Sequence, residues 1–97
     1  MSATHYLFEQ MGKFALETFR NSNAADHLRK LSIEAKEAEH NPDDIVEYAD
    51  CLLCLFAALY RQGFDYDDLI TAAHNKFSEV KNREWVKQPD GTYQHKS

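Results

Sequence analysis

EAKE at residues 34–37, NPDD at 41–44 and EYADCLLCLFAALYR at 47–61 decide how this chain folds. Glu34 and Glu37 stand three apart, and so do Glu47 and Asp50. Residues at that spacing share one face of a helix. The short Asn-Pro-Asp-Asp break predicts two helices, each presenting a carboxylate pair, folded against each other. The second pair opens one of the most apolar segments of the sequence. Carboxylates held there need a cation or a proton to offset desolvation. The stretch reads as a magnesium site.

The segment after the break is expected to be helical from Pro42 to about Gln62. Asn41 would cap it, Pro42 would take the first helical position, and Gly63 would stop it. Large apolar residues cover most of its wheel. The remaining strip holds Glu47, Asp50, Cys54, Ala57, Ala58 and Arg61. Such a strip either borders a cavity or packs tightly through its small residues, and the sequence leaves both readings open. Before the break, a helix is expected from about Ala24 to His40, started by Asn23 or Ser22 with Asp26 in its first turn. Leu28, Leu31, Ala35 and Ala38 would form its core face, with His27, Lys30, Glu34 and Glu37 along the edge.

Further out, residues 4–20 repeat at helical spacing, with Tyr6, Leu7, Met11, Phe14, Ala15, Thr18 and Phe19 on the apolar side. A fourth helix is expected from Asp65, as its cap, to about Asn82. Beyond Trp85 the pattern stops. Pro89-Asp90-Gly91 reads as a turn, and the tail over 86–97 is expected to be polar and without further elements. The expected fold is all-α, with four helices in a single domain over 1–97 whose core spans about 4–85.

The chain has 97 residues, 16 acidic and 11 basic, for a net charge of −5. That balance argues against a nucleic-acid partner. A divalent cation can still reverse the local field for a small anionic ligand. No leader is read at the start, and no apolar run approaches the about 20 residues that span a bilayer. Two cysteines are too few for a disulfide scaffold. The expectation is a cytoplasmic protein with no membrane partner. A short helical chain with an extended site is also a good candidate for homo-oligomerisation, as a dimer or tetramer.

Four carboxylates on adjacent helices suit a hard, oxygen-preferring cation: Mg2+, with Mn2+ as a substitute. Water on such an ion is acidified, and a carboxylate nearby can take its proton. The matching substrate is a phosphoanhydride, with Lys30, Arg61, Lys76 and Arg83 available for the phosphates. Other chemistries fit less well. Glu37-x-x-His40 has the form used by helical di-iron proteins, but the second pair ends in Asp50 instead of histidine. Cys51-x-x-Cys54 lies mid-helix with no partner pair. The histidines are scattered, and only His27, near the carboxylate edge, is of interest. Trp85 and Tyr93 could be core, anchors for the tail or base-stacking groups. Trp85 is included with the substrate-binding set.

An ordered set of residues resembles a known family. It comprises Phe14-Ala-x-x-Thr18-Phe19, His27-Leu28-x-Lys30, Glu34-x-x-Glu37, Asn41-Pro-Asp-Asp-x-x-Glu47-Tyr-Ala-Asp50, Arg61-x-Gly63, Lys76, Arg83 and Trp85. Together these resemble the all-α nucleoside triphosphate pyrophosphohydrolases, the MazG-like proteins and dimeric dUTPases. The nearer likeness is to the MazG-like dATP/dGTP diphosphohydrolase domain of bacteria and phages. The resemblance implies cleavage of an NTP or dNTP between its α- and β-phosphates. It implies Mg2+ on Glu34, Glu37, Glu47 and Asp50, one of which assists the attacking water. It also implies that Lys76 and Arg83 meet phosphates, with a neighbouring subunit completing the site. One position departs from the pattern: Val80 stands where relatives often carry asparagine. The competing function is a non-catalytic helical accessory module that has kept the fold.

Overall fold

Capping chemistry sets the helix boundaries in the computed structural model, which describes residues 1–96. Helix α1 spans Ala3–Thr18, with the Ser2 hydroxyl accepting from the His5 backbone N–H at 3.0 Å. Helix α2 spans Ala24–His40 and opens with a reciprocal capping box: Asn23 accepts from the Asp26 N–H and Asp26 accepts from the Asn23 N–H, both at 2.9 Å. Helix α3 spans Ile45–Arg61 and α4 spans Tyr66–Lys81.

The start of α3 corrects the sequence reading. Asn41 works backwards: its backbone N–H and side-chain amide both donate to the Glu37 carbonyl, closing α2. The cap of α3 falls instead to Asp44, whose carboxylate accepts from the Val46 N–H at 3.0 Å. Pro42 thus lies outside the helix, where its carbonyl accepts from the Tyr48 hydroxyl. At the other end Gly63 takes a φ of +92° and its N–H donates to the Tyr60 carbonyl, as a helix stop requires.

Residues Met1–Tyr66 form one compact unit and a second begins at Asp67. In the first unit α3 packs against both α1 and α2. Its centre is aromatic: Phe8 meets Phe56 edge-on at 5.5 Å, with Tyr60 and Tyr66 around them. Phe56, Ala57 and Ala58 are all buried, so the small residues of the α3 strip are used for close helix packing. Gly12 allows the approach of α1. A Cβ there would fall on the ring of Tyr60 and 2.7 Å from its Cβ.

Two expected core faces are rotated. On α1 the buried stripe is Phe8, Gly12 and Ala15, while Tyr6, Leu7 and Phe14, and Phe19 just past its end, are exposed. On α2 the buried residues are His27 and Glu34, while Leu28 is 47% exposed and Ala35 lies outside. The inward face of α2 is mixed: the expected Leu31 and Ala38 are half-buried on it, beside a buried histidine and glutamate that periodicity of apolar residues does not reveal.

The second unit contains most of α4 and a hairpin of strands β1 (Trp85–Lys87) and β2 (Tyr93–His95), paired antiparallel with Val86 opposite Gln94. The hairpin corrects the expectation of an unstructured tail; Ser97 lies outside the described residues. The expected turn is present at its tip. Gly91 has φ +94°, Asp90 accepts from both the backbone N–H and the hydroxyl of Thr92, and the Gln88 N–H donates to the Thr92 carbonyl at 2.7 Å. Helix α4 has no buried residue, and none of the described helices is long and apolar enough to cross a membrane.

Candidate metal centre

Packing of α2 on α3 brings carboxylates from both helices together. Oxygens of Glu34, Glu37 and Glu47 all lie within 4.8 Å of one another. Glu34 is buried at 8% exposure, Glu47 is half-buried and Glu37 is exposed. The group therefore grades from the helix interface to solvent. Lys30, one turn before Glu34, places its Nζ 3.1 Å from Glu34 Oε1. That hydrogen bond, and then the Glu34 charge, raise the lysine's pKa above its ordinary value.

Glu47 has no such support. Its Oε2 is buried without a hydrogen-bond partner. Burial first, then the charges of Glu37, Asp44, Asp50 and Glu34, push its carboxyl above the usual range. A buried acceptor surrounded by like charge is costly unless a cation or proton satisfies it. Hard oxygen donors from two helices, one of them unpaired, are the donor set that a divalent cation of the Mg2+ class takes.

Asp50 is half-buried one turn beyond Glu47 and lies outside the group of three, but is near enough to act on Glu47 through its charge. Asp44 also acts on Glu47. It was not among the sequence candidates, although the Asp44–Glu47 spacing of three could have flagged it. His40 is not in the group, and its Nδ1 lies 2.8 Å from the Lys36 carbonyl. Cys51 and Cys54 are free thiols, and burial followed by the Glu34 charge raises the pKa of Cys54. That holds it as an unreactive thiol at neutral pH.

The remaining sequence candidates make contacts of their own. The Arg61 guanidinium donates to the Ala15 and Phe19 carbonyls at 3.0 and 2.9 Å, tying the end of α3 to the end of α1. Its Nε is buried without a partner. Lys76 and Arg83 lie in the second unit and share one partner, Glu79, at 3.2 and 3.6 Å. Trp85 donates its indole N–H to the Val80 carbonyl at 2.9 Å and meets His95 edge-on.

Comparison with known proteins places the chain in a family. A family model described as dATP/dGTP pyrophosphohydrolase matches residues 7–96. Among solved structures, the chain is similar to a MazG-like pyrophosphohydrolase of cyanophage S-2L. The two share 18% identity with a TM-score of 0.79 over all of both chains, and that protein was solved bound to dGDP and three catalytic Mn2+ ions per active site. No curated protein matches the chain. Matched over nearly its whole length, the chain belongs to the dATP/dGTP pyrophosphohydrolase family and is a nucleotide pyrophosphohydrolase, a hydrolase of phosphoanhydride bonds.

Proposed function

We propose that the protein cleaves a purine deoxynucleoside triphosphate between its α- and β-phosphates, giving the monophosphate and pyrophosphate, with Mg2+ as cofactor and Mn2+ as a working substitute. One observation carries the reading: three carboxylates from two helices converge within 4.8 Å, and one of them keeps a buried oxygen unpaired. Glu34, Glu37, Glu47 and Asp50 would hold the ion. When bound, it supplies Lewis acidity at the phosphates and lowers the pKa of water. The chain's own part is to position and to take a proton. Glu34 is fixed by Lys30, and a carboxylate of the quartet accepts the proton of the attacking water. Lys30 also stands at the edge of the site as a cation for the phosphates. Arg61 serves by fixing the end of α1. Lys76, Arg83 and Trp85 are assigned to the substrate on the family resemblance.

A homo-oligomer fits the surface of the first unit. An apolar groove of about 220 Å3 is lined by Ala24, Leu28, Leu55, Ala58, Leu59, Gln62 and Phe64. Leu28 and Phe64 are about half exposed there, and a second copy of the chain would cover them. Free Cys51 and Cys54 suit a reducing cytoplasm. The test is pyrophosphate release from each of the four dNTPs with and without Mg2+. Release from dATP and dGTP only when Mg2+ is present is expected; no turnover of any nucleotide would sink the proposal.

A further inference from the structure

Where the end of α1 meets the start of α2 lies a cavity of about 240 Å3 lined by Phe19, Ser22, Asp26, His27 and Lys30, the last of which also pairs with Glu34. His27 is only 8% exposed, and its Nε2 is buried with no hydrogen-bond partner. Buried polar nitrogens are nearly always paired, so this one calls for an explanation. Burial, and then the Arg61 charge, lower the His27 pKa below its ordinary 6.5, leaving the ring neutral near pH 7. A neutral imidazole nitrogen donates in one tautomer and accepts in the other.

The walls are firmly set. Arg61 holds the Phe19 carbonyl, and the Phe19 ring packs 6.2 Å from the His27 ring. The Asp26 carboxylate is committed to the Asn23 N–H and to Arg29. Lys30 reaches from the cavity to Glu34. Seven residues of helix separate His27 from Glu34, two turns or about 10 Å along the axis. A nucleoside triphosphate has a comparable span between its base and its α- and β-phosphates.

We infer that this cavity is the base subsite and that His27 Nε2 reads the purine 6-position, accepting from the adenine 6-amino group in one tautomer and donating to the guanine 6-oxo group in the other. One nitrogen then serves both purines, since adenine offers a donor where guanine offers an acceptor. The exposed part of the Phe19 ring supplies a face for the base. The inference rests on the hydrolysis proposed above.

Three triphosphates test it on the wild-type enzyme: dATP, dGTP and the deoxynucleotide of a purine with only hydrogen at position 6. Wild type should favour dATP and dGTP in kcat/KM by about tenfold, the effect of one hydrogen bond, chiefly through KM. His27→Phe keeps an aromatic ring at the site, slightly larger than the imidazole, and removes the hydrogen-bonding atom, so that preference should vanish. Equal use of all three by wild type would overturn the inference, as would a His27→Phe enzyme that keeps the preference. Should His27→Phe not fold, the imidazole nitrogen resonances of wild-type His27 provide the second measurement. They should shift saturably with deoxyadenosine and with deoxyguanosine, and no shift with either would overturn it. Failure of the hydrolysis itself is distinguishable, as a wild type that turns over no triphosphate.

Discussion

Gly12→Ala sets two effects of opposite sign against each other, and the packing of α1 on α3 decides between them. In a helix interior, alanine is favoured over glycine by about 1 kcal/mol. On that ground the substitution stabilises. But Gly12 is buried, and the new methyl group would meet the Tyr60 ring and lie 2.7 Å from the Tyr60 Cβ. Rotation of the ring gives no relief, because the Cβ is fixed to the α3 backbone. The helices must separate instead, disturbing the contacts of Phe8 with Phe56 and Tyr60. Overpacking of this kind costs about 3 kcal/mol at the upper end of its usual range. The difference is a net loss of about 2 kcal/mol, or a melting temperature lower by about 8–16 °C for a domain of this size. Thermal unfolding followed by circular dichroism measures it. A Gly12→Ala protein that melts at or above wild type would refute the packing of α1 against Tyr60.

Four further outcomes follow from the same structure. Glu47→Gln and Asp50→Asn should each abolish turnover while leaving the metal-free protein as stable as wild type or more so, because a like charge is removed; thermal melts in EDTA beside activity assays check this. The Glu47 pKa is raised in the fold, so metal-free wild type should lose stability relative to Glu47→Gln as pH rises from the ordinary carboxylate value of 4.5 through the raised one, which paired melts across that window would show. Arg61→Met removes two charge-assisted hydrogen bonds, to the Ala15 carbonyl of α1 and the Phe19 carbonyl just past it, and should cost about 2 kcal/mol, read as a lower midpoint in urea. Leu28→Asp places a charge in the apolar groove and should shift wild-type oligomer to monomer in sedimentation velocity, with the helical content retained.

The acid pairs were legible because their spacing of three is a local property of a helix. The bounds of α2 followed from Asn23 and Asp26 for the same reason. The start of α3 was not legible, since Asn41 can cap one helix or close another and its neighbours in sequence do not distinguish the two uses. The inward face of α2 was misplaced by a physical cause. Apolar periodicity points to Leu28, Leu31, Ala35 and Ala38; Leu31 and Ala38 are half-buried, but the fully buried positions hold His27 and Glu34, a shift that a charged site imposes on its own helix. On α1, apolar residues lie on more than one side, and only the requirement for a glycine at the contact with Tyr60 selects the stripe of Phe8, Gly12 and Ala15. The hairpin over Trp85–Lys87 and Tyr93–His95 escaped because strands of three residues carry too short a pattern to read, even with the Asp90-Gly91 turn in plain view.

The central claim is that the carboxylates of α2 and α3 direct hydrolysis to the bond between the α- and β-phosphates. Phosphorus NMR of the products from dGTP tests it most directly. Equimolar dGMP and pyrophosphate from wild type with Mg2+, and no product from Glu47→Gln or in EDTA, is the result expected. Release of dGDP and inorganic phosphate, or pyrophosphate formed at the wild-type rate by Glu47→Gln, would contradict it.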